Sequence, residues 1–154
     1  MLDKLLLCSD EQSLIIATAT PTLSDKSLDL GVLTSTDTLG NTMRQGDPGR
    51  GLDIELMCQV IQTVLATGGA SELMVELVVA DNAALDSNLV VLQQSAAIAK
   101  ATLVAGYNFR IGGVLPPGLG KRYVGLRYNV TTNAITTGKI TAGLAPKGRQ
   151  TVFA

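Results

Sequence analysis

Residues 114–144 read VLPPGLGKRYVGLRYNVTTNAITTGKITAGL, and no other stretch restricts the fold so tightly. Val124, Leu126, Tyr128 and Val130 fall on one face of an extended chain, and Gly125, Arg127 and Asn129 on the other. Ile140, Ala142 and Leu144 repeat the device against Lys139, Thr141 and Gly143. A period of two sends alternate side chains to opposite faces, so each run predicts a strand with one face in a core. The polar, Thr- and Asn-rich reversal between them predicts a packed β-hairpin. Pro116, Pro117 and Gly118 predict a rigid turn ahead of it.

The same signal recurs elsewhere. Residues 14–20 (LIIATAT) are β-branched and stop at Pro21, which predicts a first strand, and residues 28–32 a short second one. Residues 52–65 admit two readings. With period two, Leu52, Ile54, Leu56, Cys58 and Val60 point inward and Asp53, Glu55, Met57 and Gln59 outward; with period 3.6, Ile54, Met57, Cys58, Ile61 and Leu65 form a helical stripe. The strand is preferred, because residues 72–80 alternate as a natural partner. There Leu73, Val75, Leu77 and Val79 point inward, Glu72, Met74, Glu76 and Val78 outward, and Gly68-Gly69-Ala70-Ser71 suits a hairpin. Asp53, Glu55, Glu72 and Glu76 would then share an acidic outer face. Residues 89–95 and 107–111 predict further strands, and 96–105 a short helical or irregular connection.

About eight short strands, spaced near ten residues, imply an all-β antiparallel sandwich or barrel. Eight strands with one long turn-rich connection, residues 34–51, fit a jelly-roll-type sandwich better than an immunoglobulin-type one. The chain has no tryptophan for the Cys…Trp…Cys signature of immunoglobulin domains. The expected organisation is an N-terminal arm over 1–13, a jelly-roll domain over 14–145 and a C-terminal tail over 146–154.

Composition narrows the function. There is no histidine, which removes the commonest general base and metal ligand. A formal net charge of −1 gives no basic footprint for nucleic acid. Charged residues are only 16% of the chain, which predicts a surface that partners cover. Gln59, Gln62 and Lys100 interrupt the apolar runs before any reaches the ~18–20 residues of a membrane span. The opening MLDKLLLCSD lacks the apolar length and the small residue of a processed signal. Cys8 and Cys58, the two cysteines, match neither a disulfide framework nor a metal pattern, and Cys58 fits an inward strand face. Residues 112–121 fail the phosphate-loop spacing at Leu115 and Arg122. No catalytic, metal or cofactor site is expected. The candidate partner contacts are Leu5, Leu6 and Leu7 in the N-terminal arm, Arg44, Asp47 and Arg50 in the long loop, Lys121, Arg122 and Arg127 at the hairpin, and Val152 and Phe153 in the tail.

The opening LLLCSDEQSL, the connection Ala97-Ile98-Ala99 … Leu103-Val104-Ala105-Gly106, and the stretch LPPG … RYVGLRYNV … TTGKITAGL together carry a resemblance. The chain resembles the capsid cement, or decoration, proteins of short-tailed bacteriophages, typified by the Bordetella phage cement protein, most closely over residues 89–145. The resemblance implies a jelly roll, a homodimer, and a place on the outer capsid surface where subunits of the major capsid protein meet. It implies no catalysis and no cofactor, and residues 34–51 and the last ten carry no family inference. A glycan-binding jelly-roll adhesin is the alternative; its sugar-stacking aromatics would be Tyr107 and Tyr123.

Overall fold

The computed structural model describes residues 6–36, 42–44, 54–111 and 120–146. Their regular structure comprises β1 (Leu7–Ser13), β2 (Thr22–Leu23), β3 (Leu28–Asp29), β4 (Leu33–Thr36), β5 (Thr42–Arg44), β6 (Ile54–Ala66), β7 (Glu72–Ala80), β8 (Val90–Gln94), β9 (Ile98–Ala99), β10 (Asn108–Ile111), β11 (Tyr123–Thr131) and β12 (Ile135–Pro146). One sheet runs β1-β12-β6-β10. The other centres on β11 and β7; β2 and β3 lie along the free edge of β11, and β8 and β9 along that of β7. β4 and β5 form a separate ribbon. All these pairings are antiparallel.

If β2 with β3, and β8 with β9, each count as one interrupted strand, two four-stranded sheets result. Along these eight strands the chain changes sheet at every step except from β7 to β8. This is the expected jelly roll. The central pair β7–β11 runs in unbroken register from Tyr123↔Ala80 to Thr131↔Glu72. Its inward residues Leu73, Val75, Leu77, Val79, Val124, Leu126 and Tyr128 pack against Leu56, Cys58, Val60, Ile140, Ala142 and Leu144 of the facing sheet in one buried cluster. The predicted inward faces of these four strands are thus the faces in the core, with Leu52 and the Ile54 side chain outside what is described.

The same wrapping overturns both expected hairpins. β6 and β7 belong to different sheets, and so do β11 and β12. A hairpin would set two apolar faces side by side; a crossing reversal folds them onto each other and buries both at once. The two corners meet at one end of the sandwich. Thr67 N–H donates to Ala134 O at 3.1 Å, and Ser71 Oγ to Asn133 O at 3.0 Å. Lys100 Nζ caps the first corner at Gly68 O, 2.7 Å away. At Gly68 a Cβ would meet the end of the Asn133 side chain at 2.4 Å, so a larger residue there would push that side chain aside.

Other expectations shift too. The first strand is Leu7–Ser13, within the stretch expected to be an arm, whereas residues 14–20 contribute one bridge, Ile16↔Ile135. β1 is an edge strand with two irregularities in its register, and Glu11 has φ 50°. The bulge turns Ser9 and Gln12 both inward and leaves Asp10 and Glu11 outside, a charged and interrupted edge that resists further strand addition. The loop expected over 34–51 holds the β4–β5 ribbon in its described part. Residues 96–105 are irregular apart from β9. The shared acidic face does not form: Glu55 and Glu76 lie on different sheets, and both are buried on the outer faces, as are Met57 and Val78, which point outward as expected but are covered there.

Candidate functional site

Each basic residue predicted at the hairpin is held by an acid of this same chain. Lys121 Nζ lies 2.8 Å from Asp81 Oδ2. Arg122 grips both oxygens of Asp29, at 2.7 and 2.6 Å, because Tyr123 pairs with Asp29 across β11 and β3. That bidentate bond raises the guanidinium above its ordinary pKa, and its cation also stands 5.2 Å over the Tyr123 ring. Arg127 sits opposite Glu76 in the β11–β7 register and bonds its carboxylate. Lys100 bonds the Gly68 carbonyl, and the other lysines and arginines with described side chains face acids. Arg110 bonds Glu55 at 2.6 Å, Lys26 faces Asp10 at 3.5 Å and Lys139 faces Glu11 at 3.8 Å. The exposed pairs, Arg122–Asp29, Lys26–Asp10 and Lys139–Glu11, add little to stability, so a partner could exchange them at small cost, whereas Glu55 and Glu76 are buried under their arginines.

Of the remaining predicted contacts, those that are described lie in or just before β1 and at the end of β5. Leu6 packs on the main core and Leu7 is buried in β1. Arg44 ends β5 opposite Leu33. Leu5, Asp47, Arg50, Val152 and Phe153 lie outside the described residues. Tyr107 stacks on Phe109 with ring centroids 5.9 Å apart, and Tyr123 packs on the Val78–Leu85 cluster beneath Arg122.

A buried polar chain was not foreseen. Tyr128 O–H donates to Ser9 Oγ at 2.7 Å, Ser9 donates to Gln12 Oε1, and Gln12 Nε2 donates to Leu23 O at 2.7 Å. Asp25 N–H closes it on Gln12 Oε1 at 3.1 Å. The chain fastens edge strand β1 to the opposite sheet. Burial raises the Tyr128 phenol well above its usual pKa, which keeps it a donor. Burial also pushes Cys8 up to about 12 and raises Cys58. β1 and β6 flank β12 on opposite sides, so the Cα atoms of Cys8 and Cys58 are two strand spacings apart, roughly 9–10 Å. That exceeds the reach of a disulfide.

The outer faces of the sheets differ. Over β7 and β11, loop 81–89 lays Leu85 onto Val78 and Ala80. Gly125 makes room for it, since a Cβ there would come within 2.2 Å of Leu85 Cδ1. Over β6 and β12, Glu55, Met57, Thr141 and Ala145 are buried at one end, and Gln59 Oε1 is a buried oxygen without a hydrogen-bond partner. At the other end Ile61 and Leu65 are 36% and 55% exposed. Ile15, alongside β12, is 66% exposed, and Val104, alongside β6, 49%. The one sequence signal for this patch is that Ile61 and Leu65 continue the outward set of β6 past Gln59.

The family model of Bbp16 matches residues 9–144. The chain belongs to the Bbp16 family, that of the Bordetella phage cement protein. Cement proteins of this family are phage structural proteins that associate with the capsid. The match spans both sheets of the jelly roll and takes in Arg44, Asp47, Arg50, Lys121, Arg122 and Arg127. Leu5, Leu6, Leu7, Val152 and Phe153 fall outside it. A comparison with curated proteins gave no match.

Proposed function

We propose that the protein is a capsid cement protein that binds the outer shell surface and clamps adjoining major capsid protein subunits against the pressure of packaged DNA. Membership of the cement family over residues 9–144 carries this reading. The fold suits the task. A jelly roll with two buried corners and a polar chain tying β1 to the opposite sheet gives a stiff body, and a clamp must not yield between its contact points. Affinity would come from simultaneous contacts along the lattice rather than from one strong site. The predicted contacts at Leu5, Asp47, Arg50, Val152 and Phe153, and dimer formation, belong to this proposal.

The test compares capsids carrying the protein with capsids stripped of it. Decorated particles should rupture at higher temperature and survive greater osmotic shock. Equal stability of the two would overturn the clamping role. A glycan array probed with the purified chain should stay blank; specific low-micromolar binding would favour an adhesin instead.

A further inference from the structure

Resting on the cement reading, we infer that the exposed patch of Ile15, Ile61, Leu65 and Val104 on the β6–β12 sheet is the surface this protein lays on an uncharged, apolar area of the capsid shell. The four residues are neighbours. Ile61 and Leu65 are exposed on β6 while Val60 and Val64 are buried. Val64 N–H donates to Leu103 O at 2.9 Å and Ala105 N–H to Thr63 Oγ1 at 3.1 Å, which brings Val104 against one side of β6. On the other side, Ile135 pairs with both Ile16 and Ala66, which sets Ile15 level with Leu65. Leu14, Ile16 and Leu103 are buried, so Ile15 and Val104 are the residues turned out. Thr63, between Ile61 and Leu65 on β6, and Thr136, on β12 between Leu65 and Ile15, are the uncharged residues set among them, and the nearest cation on β12, Lys139, faces Glu11.

Two possible occupants can be separated. A second copy is a poor fit on area. Four partly exposed aliphatic side chains offer on the order of a few hundred Å², the size of a functional patch on a monomer but well short of the ~800 Å² per partner of a stable pair. A shell lattice needs no such area from one contact, because each copy is held at several points.

The test uses the full-length chain and capsids stripped of it, read by co-sedimentation. Ile15→Ser with Leu65→Ser should weaken binding by about tenfold or more, while Val90→Ser, an exposed residue on the opposite sheet, should bind as the parent does. Binding by the parent should hold or strengthen as salt is raised, as for an apolar contact. Circular dichroism and melting confirm the fold, and Ile15→Thr and Leu65→Thr, tested singly, serve if the double variant is unstable. If the parent binds and the folded patch variants bind equally well, the patch is not the contact, and the cement reading stands without it. If the parent itself does not bind, the cement reading fails and this inference with it. If sedimentation velocity finds a stable dimer that Leu65→Ser splits, the patch is a self-interface and the inference is overturned.

Discussion

Val78, Ala80 and Gly125 on the outer face of the β7–β11 sheet lie under Leu85, while Ile61 and Leu65 on the outer face of the β6–β12 sheet stand in solvent. Both faces descend from the same two-residue alternation. The difference arises in the connections. The loop from β7 to β8 is braced by Asn82, whose Oδ1 accepts from the Asp86 and Ser87 amides at 3.2 Å each, so it can hold Leu85 at φ 59° over the sheet. At the far end of β6 the chain turns straight into a corner and supplies no such cover. Alternation therefore decides which side chains leave the core, and loop chemistry decides whether the outer face is closed.

The most damaging change should be one that violates the inner faces common to both sheets. Leu126 is fully buried, and Leu126→Asp would put an unpaired charge into the core, at about 3–5 kcal/mol by analogy with broken buried pairs. Urea denaturation measures it. A parent-like midpoint would mean that Leu126 faces outward and that both outer faces are misassigned.

The cover itself comes next. Leu85→Ala should cost about 2–4 kcal/mol, as large-to-small changes at buried leucines do. Gly125→Ala drives a methyl into Leu85 and should cost about 1–3 kcal/mol. The two changes touch the same space, so the double variant should be more stable than their sum predicts. Strict additivity would show that Leu85 does not sit on Gly125.

Much of this was legible in advance, and what was missed has a physical pattern. The inward set from Leu73 to Val79 and from Val124 to Tyr128 follows from alternation alone. Strand pairing does not, because Gly68-Gly69 and Thr132-Asn133 reverse the chain equally well within a sheet or between sheets. Ser9 and Gln12 were hidden by the bulge at Glu11, which breaks the period that would have located them. The patch at Ile15, Ile61, Leu65 and Val104 draws on three separated segments, and only the fold brings them together.

The buried thiols give a pH test of the β6–β12 side. Their folded pKa values are raised, so their contribution is fully present below the ordinary thiol value of 9.0. It is lost as pH climbs, through about 12 for Cys8. Above pH 9 the unfolded chain releases protons that the folded chain keeps, and stability should fall by up to about 1.4 kcal/mol per pH unit for each thiol. Tyr128 joins the decline from its ordinary value of 10.0. Melting temperatures measured at rising alkaline pH should drop progressively, and Cys58→Ala should flatten the first part of the slope. A melting temperature unchanged through this range would place the thiols in contact with water.

The smallest effect on stability is the one that separates the two faces most cleanly. Leu65→Ala removes as many side-chain atoms as Leu85→Ala. It leaves no cavity, because Leu65 is already more than half exposed, so its cost should stay within about 0.5 kcal/mol. The pair should be read together in one denaturant series with equal slopes. If Leu65→Ala matched Leu85→Ala, both outer faces would be closed by this chain and Leu65 would belong to its fold. If Leu65→Ala is silent in the free protein, the chain keeps an apolar residue at a site where its own stability does not need one. Nothing in the folding of the free chain selects leucine there over a polar residue, and a soluble surface would be better served by one. The reason for it must then lie in what the β6–β12 face meets outside the chain.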